Sequence, residues 1–92
     1  MTTIKPIHPG EHLAEFLEEY GITSYRLSKD IHVPPTRIDQ IVKCKRGITV
    51  DTAKRLGMYF GNTAQYWLNL QNGYELELLD IADTIVPIAE CA

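Results

Sequence analysis

Apolar positions along this chain recur at helical spacing, and no stretch of the first 80 residues alternates convincingly as a strand. The first such stretch opens at Pro9 or Gly10 and runs to Tyr20, with Leu13, Phe16, Leu17 and Tyr20 in the i, i+3, i+4, i+7 pattern. Gly21 is its natural stop. A second helix begins at Thr23-Ser24, whose hydroxyls suit the free N–H groups of a first turn. It sets Leu27 and Ile31 on one face and ends by His32. Val33-Pro34-Pro35 breaks the pattern, because a proline disfavours helical geometry at the residue before it. Pro35 suits the first position of a third helix, where its missing N–H would have had no partner. That helix reads Thr36 to Lys43 with Ile38 and Ile41 inward, and fades into Cys44-Lys45-Arg46-Gly47. A fourth follows Thr49, with Asp51 in its first turn, Ala53, Leu56 and Phe60 on its inner face, and Gly61 at its end. A fifth starts at Asn62-Thr63 and carries the stripe Trp67, Leu70, Tyr74 and Leu78. Gly73 interrupts it at a cost of about 1 kcal/mol relative to Ala, which opens the way to a bend or an early end. Beyond Asp80 the period is lost, and Thr84 to Ile88 reads either as a short extended segment or as frayed chain.

These elements predict an all-α fold of five helices, a domain over residues 1–80 and a tail over 81–92. At 92 residues, with 45% apolar side chains, the chain is one globular domain rather than a disordered segment. No apolar run approaches the roughly 20 residues of a membrane helix. Met1 to Lys5 lacks the basic-then-apolar order of a signal peptide, and a cytoplasmic protein is expected. Cys44 and Cys91 stand far apart and predict neither a disulfide framework nor a zinc knuckle. His8 and His12 have the spacing of two metal ligands on one helix face, but no third ligand is suitably placed. His8 reads instead as part of the cap of the first helix. With no nucleophile–base pair, glycine-rich phosphate loop or metal triad, neither an enzyme nor a bound cofactor is expected.

The net charge of −3 at first argues against an anionic partner. Its distribution reverses that. Residues 22–55 hold Arg26, Lys29, Arg37, Lys43, Lys45, Arg46, Lys54 and Arg55 against only Asp30, Asp39 and Asp51. Both ends are acidic, and no Lys or Arg follows Arg55. A basic centre of this kind can hold phosphates whatever the overall sign.

The two short helices from Ser24 and from Pro35, joined by a tight turn, have the spacing of a helix-turn-helix, in which the second helix enters the major groove. Leu27-Ser28, Ile31, Val33, Ile38 and Ile41 fit the apolar framework of phage-repressor-type domains. More specifically, the chain resembles the HigA-type antitoxins of bacterial toxin–antitoxin modules. The matching words are His8-Pro9-Gly10-Glu11, Arg37-Ile38-Asp39-Gln40-Ile41, Lys45-Arg46-Gly47-Ile48-Thr49, Asp51-Thr52-Ala53-Lys54-Arg55-Leu56-Gly57 and Tyr66-Trp67-Leu68-Asn69-Leu70-Gln71, spread over residues 5–80. Such domains usually carry Gly in the turn after the second helix and often just after the third, where this chain has His32 and Cys44. Histidine tolerates positive φ better than most residues, so local strain is expected rather than a different fold. Pro34-Pro35 also replaces the polar residues that often begin a reading helix, which puts base contacts from its first two positions in doubt.

With Ile38 and Ile41 inward, Thr36, Arg37, Gln40 and Lys43 face out. Gln40 suits adenine, Arg37 or Lys43 guanine, and Thr36 a thymine methyl or a phosphate. Asp39 reads as an intrahelical partner of Lys43. Phosphate contacts are expected from Ser24 and Tyr25 and from the charges of Arg26, Lys45, Arg46 and Lys54. Repressors of this type pair, placing two reading helices about 34 Å apart. Trp67 is assigned to the core, while Tyr74 and Leu78, with the tail, are assigned to a homodimer contact. The resemblance further implies an autorepressor that neutralises a HigB-type ribonuclease toxin. The acidic first helix, with Glu11, Glu15, Glu18 and Glu19, would suit a basic partner. A stand-alone repressor and an interaction module without DNA binding stay open at this point.

Overall fold

The structure is a computed structural model and describes residues 6–91. The readings of Met1 to Lys5 and of the Cys91 thiol lie outside the described residues. Five α-helices follow one another: α1 Pro9–Tyr20, α2 Ser24–Asp30, α3 Pro35–Val42, α4 Val50–Phe60 and α5 Ala64–Leu78. A 3-10 turn at Ile88–Cys91 closes the described chain, and the segment before it is neither helix nor strand. The all-α expectation therefore holds.

Helix starts follow side-chain chemistry. Thr23, Thr49 and Thr63 each accept the N–H three residues on, from Arg26, Thr52 and Tyr66, at 3.1, 3.3 and 3.0 Å. His8 does the same for α1 through Nδ1, which accepts the Gly10 N–H at 2.9 Å. Only α3 begins without a side-chain cap, since Pro34 precedes it and Pro35 fills its first position.

Three helix ends share one backbone device. Gly21, His32 and Cys44 all adopt positive φ, at 67°, 61° and 62°. Each N–H bonds back to a carbonyl three residues earlier, and the next N–H reaches five residues back, as in Ile22 to Leu17, Val33 to Ser28 and Lys45 to Gln40. The two departures from glycine thus change the residue and keep the turn.

The core is the meeting of inward stripes from every helix: Leu13, Leu17, Leu27, Ile38, Ile41, Leu56 and Trp67, with Ile31, Val33 and Ile48 from the turns. Trp67 is fully buried, and its indole N–H donates to Asn62 Oδ1 at 2.8 Å. Phe16 packs edge-on against it with ring centres 5.0 Å apart, and Phe60 lies edge-on to Phe16 and tilted beside Trp67. Helix α3 rests on α1 and α2, whereas α4 rests chiefly on α5. The α1–α3 contact is tight. A Cβ on Gly10 would fall inside the carbonyl of Ile41, so only glycine allows this approach.

The interruption at Gly73 does not occur, and α5 continues to Leu78. Nothing lies within 4 Å of where a Cβ would stand, so Gly73 weakens the helix only through its own freedom. Buried Trp67 and Gln71 and half-buried Tyr74 hold the flanking turns. The apolar stripe then rolls off the core, leaving Leu78 57% exposed.

Candidate nucleic-acid interface

Local chemistry sets the outer side of the helix-turn-helix. Helix α3 buries Ile38 and Ile41 and leaves Thr36 and Gln40 exposed, as the period requires. The start of α2 lies alongside. Ser24, Tyr25 and Thr36 share an open groove of about 430 Å³ with Thr23, Pro35 and Asp39. The phenol of Tyr25 is exposed, and the Lys29 ammonium stands 5.5 Å from the centre of its ring. Ser28 is buried, its hydroxyl donating to the Tyr25 carbonyl at 2.6 Å, which stiffens this first turn.

The basic residues divide into two groups. Arg26 pairs with Asp30 at 3.4 Å, Lys43 with Asp39 at 3.0 Å, and both Arg37 and Arg55 with Asp51, at 3.5 and 2.9 Å. The Asp39–Lys43 pair is the one expected from their spacing. These pairs engage all three acids of the central region. Lys29, Lys45, Arg46 and Lys54 are exposed with no carboxylate within 4 Å among the described residues. They carry the unbalanced positive field.

Arg37 is the sequence-assigned reader whose surroundings differ most from a free solvent-facing side chain. Only 30% of its side chain is exposed, and it leans toward the start of α4. Arg55, counted in the sequence only as charge, also donates from Nη1 to the Ile31 carbonyl at 2.8 Å. Two further contacts had no sequence signal, because their partners lie far apart along the chain. Gln71 is buried and its Oε1 accepts the Ile48 N–H at 2.7 Å, fixing the loop that carries Lys45 and Arg46 against α5. Tyr59 donates to Asp30 at 2.6 Å. That hydrogen bond holds the Asp30 carboxyl below its ordinary range and pushes the Tyr59 phenol up. Partial desolvation, with the nearby Glu11 charge second, pushes the Cys44 thiol up, which favours the thiol over the thiolate.

The remaining assigned residues sit elsewhere. Tyr74 is half-buried within its own chain, its ring 4.8 Å from that of His8 in an edge contact. Leu78 is exposed, as are Leu76, Leu79, Ile81, Ile85, Val86 and Ile88. His8 is buried and its Nδ1 is engaged by the Gly10 N–H, while His12 lies 3.8 Å from Glu15. No group of metal-ligating residues forms among the described residues. No helix among them is long and apolar enough to cross a membrane.

No family model matches the chain. Individual relatives do. Virulence-associated protein I of Dichelobacter nodosus is 51% identical over 75 residues, 80% of this chain and 69% of that protein. The Pseudomonas aeruginosa antitoxin HigA, solved with the higBA promoter, is 46% identical, with a TM-score of 0.77 over 78% of this chain and 79% of that one. An addiction module antidote protein of the HigA family from Coxiella burnetii is 42% identical, with a TM-score of 0.78 over 82% of this chain and 83% of that one. With these identities spanning the helix-turn-helix and the helices that hold it, the chain belongs to the HigA family of antitoxins.

Proposed function

We propose that this chain is an autorepressing antitoxin that binds the operator of its own operon as a homodimer, acts in the cytoplasm, and neutralises a HigB-type ribonuclease toxin. It works by binding, not by catalysis. The observation that carries the DNA reading is the shared outer face of α2 and α3. Thr36 shares a groove with Ser24 and Tyr25, and Gln40 is exposed on the same helix, its carbonyl accepting the N–H of Lys45, which like Arg46 has no acidic partner among the described residues. Gln40 and Thr36 address base edges, with Lys43 and Arg37 at the margin of that surface. Ser24, Tyr25, Arg26, Lys45 and Arg46 hold phosphates and set the register. The promoter present in the Pseudomonas aeruginosa structure supports a nucleic-acid partner.

The homodimer reading rests on the carboxy-terminal face. Leu78 and the apolar residues after it are exposed in the single chain, next to Tyr74 on the same helix. The helix-turn-helix domain is assigned to residues 1–80, and the tail over 81–92 to the contact between two copies.

A mobility-shift titration with the DNA upstream of the gene tests the first part. The chain should bind it in a salt-sensitive way and prefer it to random DNA. Gln40→Ala should cost about tenfold on the operator and little on random DNA. Lys45→Ala should weaken both and reduce the salt slope by about 0.9. Absence of any complex at low ionic strength overturns the DNA reading. Co-purification with the neighbouring gene product tests the toxin, and binding to DNA without such a partner would leave a stand-alone repressor.

A further inference from the structure

We infer that Asp51 is a positioning residue for DNA reading: its one carboxylate, through Arg37 and Arg55, sets the angle at which α3 leaves the turn. The inference rests on the proposed DNA-binding role of α3.

Three helix ends converge on this side chain. Asp51 stands in the first turn of α4, and its Oδ2 accepts from Arg55 Nε at 2.9 Å and faces Arg37 Nη1 at 3.5 Å. Arg37 belongs to the first half of α3. Arg55 extends past Asp51 and donates from Nη1 to the Ile31 carbonyl at the end of α2, at 2.8 Å. That carbonyl sits at the negative end of a helix dipole, where a guanidinium is favoured. One carboxylate and two arginines therefore connect α2, α3 and α4.

The surrounding fold gives this cluster its importance. Packing joins α3 to α1 and α2, and α4 to α5, so a main link between α3 and α4 is made of side chains. Helix α3 also has no side-chain cap, since Pro34 and Pro35 occupy its start. The turn before it passes through His32 at positive φ. An unbound Arg55 would leave the last carbonyl of α2 to solvent and free the turn to shift. Because Gln40 and Thr36 must meet base edges at hydrogen-bond distance, a small rotation of α3 costs discrimination before it costs folding.

Charge alone makes the opposite prediction. Asp51 is acidic, 59% exposed and close to a surface meant for phosphates. If it acted only as a negative charge, Asp51→Asn would strengthen binding to every DNA. If it positions α3, the same substitution lowers the ratio of operator to random affinity. We expect Asp51→Asn to lose about tenfold in that ratio, with random-DNA affinity unchanged or raised. Arg55→Lys, which keeps the charge but cannot span both Asp51 and the Ile31 carbonyl, should lower the ratio in the same direction. Asp51→Glu should restore most of it.

The measurement is a salt titration of full-length variants on operator and random DNA, beside circular dichroism melts of the same preparations. An exposed ion pair contributes little to stability, so the variants should stay folded. Equal tightening on both DNAs, or an unchanged ratio in both Asp51→Asn and Arg55→Lys, overturns the assignment. A wild-type chain without operator preference overturns the DNA reading and this inference together. A wild-type preference that survives both substitutions overturns only the inference.

Discussion

Residues 31–48 and residues 76–88 offer the same kinds of aliphatic side chain in opposite states. Ile31, Val33, Ile38, Ile41 and Ile48 are at most 8% exposed, whereas Leu76, Leu78, Leu79, Ile81, Ile85, Val86 and Ile88 are 55–88% exposed. The acids differ in the same sense. In and around the first region Asp30, Asp39 and Asp51 each meet an arginine or lysine, while Glu75, Glu77, Asp80 and Asp83, in and around the second, follow the last basic residue of the chain. Apolar content therefore does not decide burial. The first region has a helical period matched to neighbours already facing it, and the second begins in the last turn of α5, where the stripe has rolled off the core, and runs past its end. This exposed apolar stretch is where the proposed homodimer contact is assigned.

The largest effect that sharpens this contrast is expected at Trp67. Trp67→Ala should cost about 3–5 kcal/mol in a urea unfolding experiment, because a fully buried indole leaves a cavity and an unpaired Asn62. Ile85→Ala should change the unfolding of the single chain by less than about 0.5 kcal/mol and instead raise the dissociation constant of the proposed dimer in sedimentation equilibrium. Equal losses at the two positions would break the comparison. Gly10→Ala comes next, at about 2–3 kcal/mol, because the methyl must displace the Ile41 carbonyl and with it the end of α3. Operator binding should fall with it, and unimpaired binding would show that the α1–α3 contact does not aim the helix. In the opposite direction, Gly73→Ala should stabilise by up to about 1 kcal/mol, since it fills open space in a continuous helix. A loss there would mean that a second chain approaches the glycine.

The smallest effect is a pH dependence. Burial holds the His8 imidazole below its ordinary value of 6.5, partly opposed by Glu11. As pH falls the unfolded chain takes the proton first, so this stability is complete above about 6.5 and is lost as pH drops through the lower folded value. His8→Asn keeps an acceptor for the Gly10 N–H without titrating. Its denaturation midpoint should fall less between pH 7.5 and 5 than that of the unaltered chain. Identical slopes would remove His8 as a source.

Much of this was legible in the residues, and the reasons are local. Threonines at 23, 49 and 63, glycines at 21 and 61 and the prolines before Thr36 place helix ends within a residue or so, since each acts on backbone within one turn of itself. The Asp39–Lys43 pair was legible for the same reason. Arg37 was not, because its partner Asp51 lies in another helix and only packing brings the two together. Gln71 reaching Ile48 and Arg55 reaching Ile31 are likewise long-range, and neither residue type carries a signal for such a role. At Gly73 local propensity allowed a bend or an early end, and anchored neighbours keep the helix continuous.

By itself, then, the order of residues determined the number of helices, their caps, the inward stripes and a cationic centre between acidic ends, because each depends on neighbours within a turn. Only the tertiary structure decided which cations remain without an acid, how α3 is held by Gly10 and Asp51, and where the apolar stripe of α5 leaves the core. Those outcomes depend on distances between helices, and a linear pattern contains periods and charges but no distances across space.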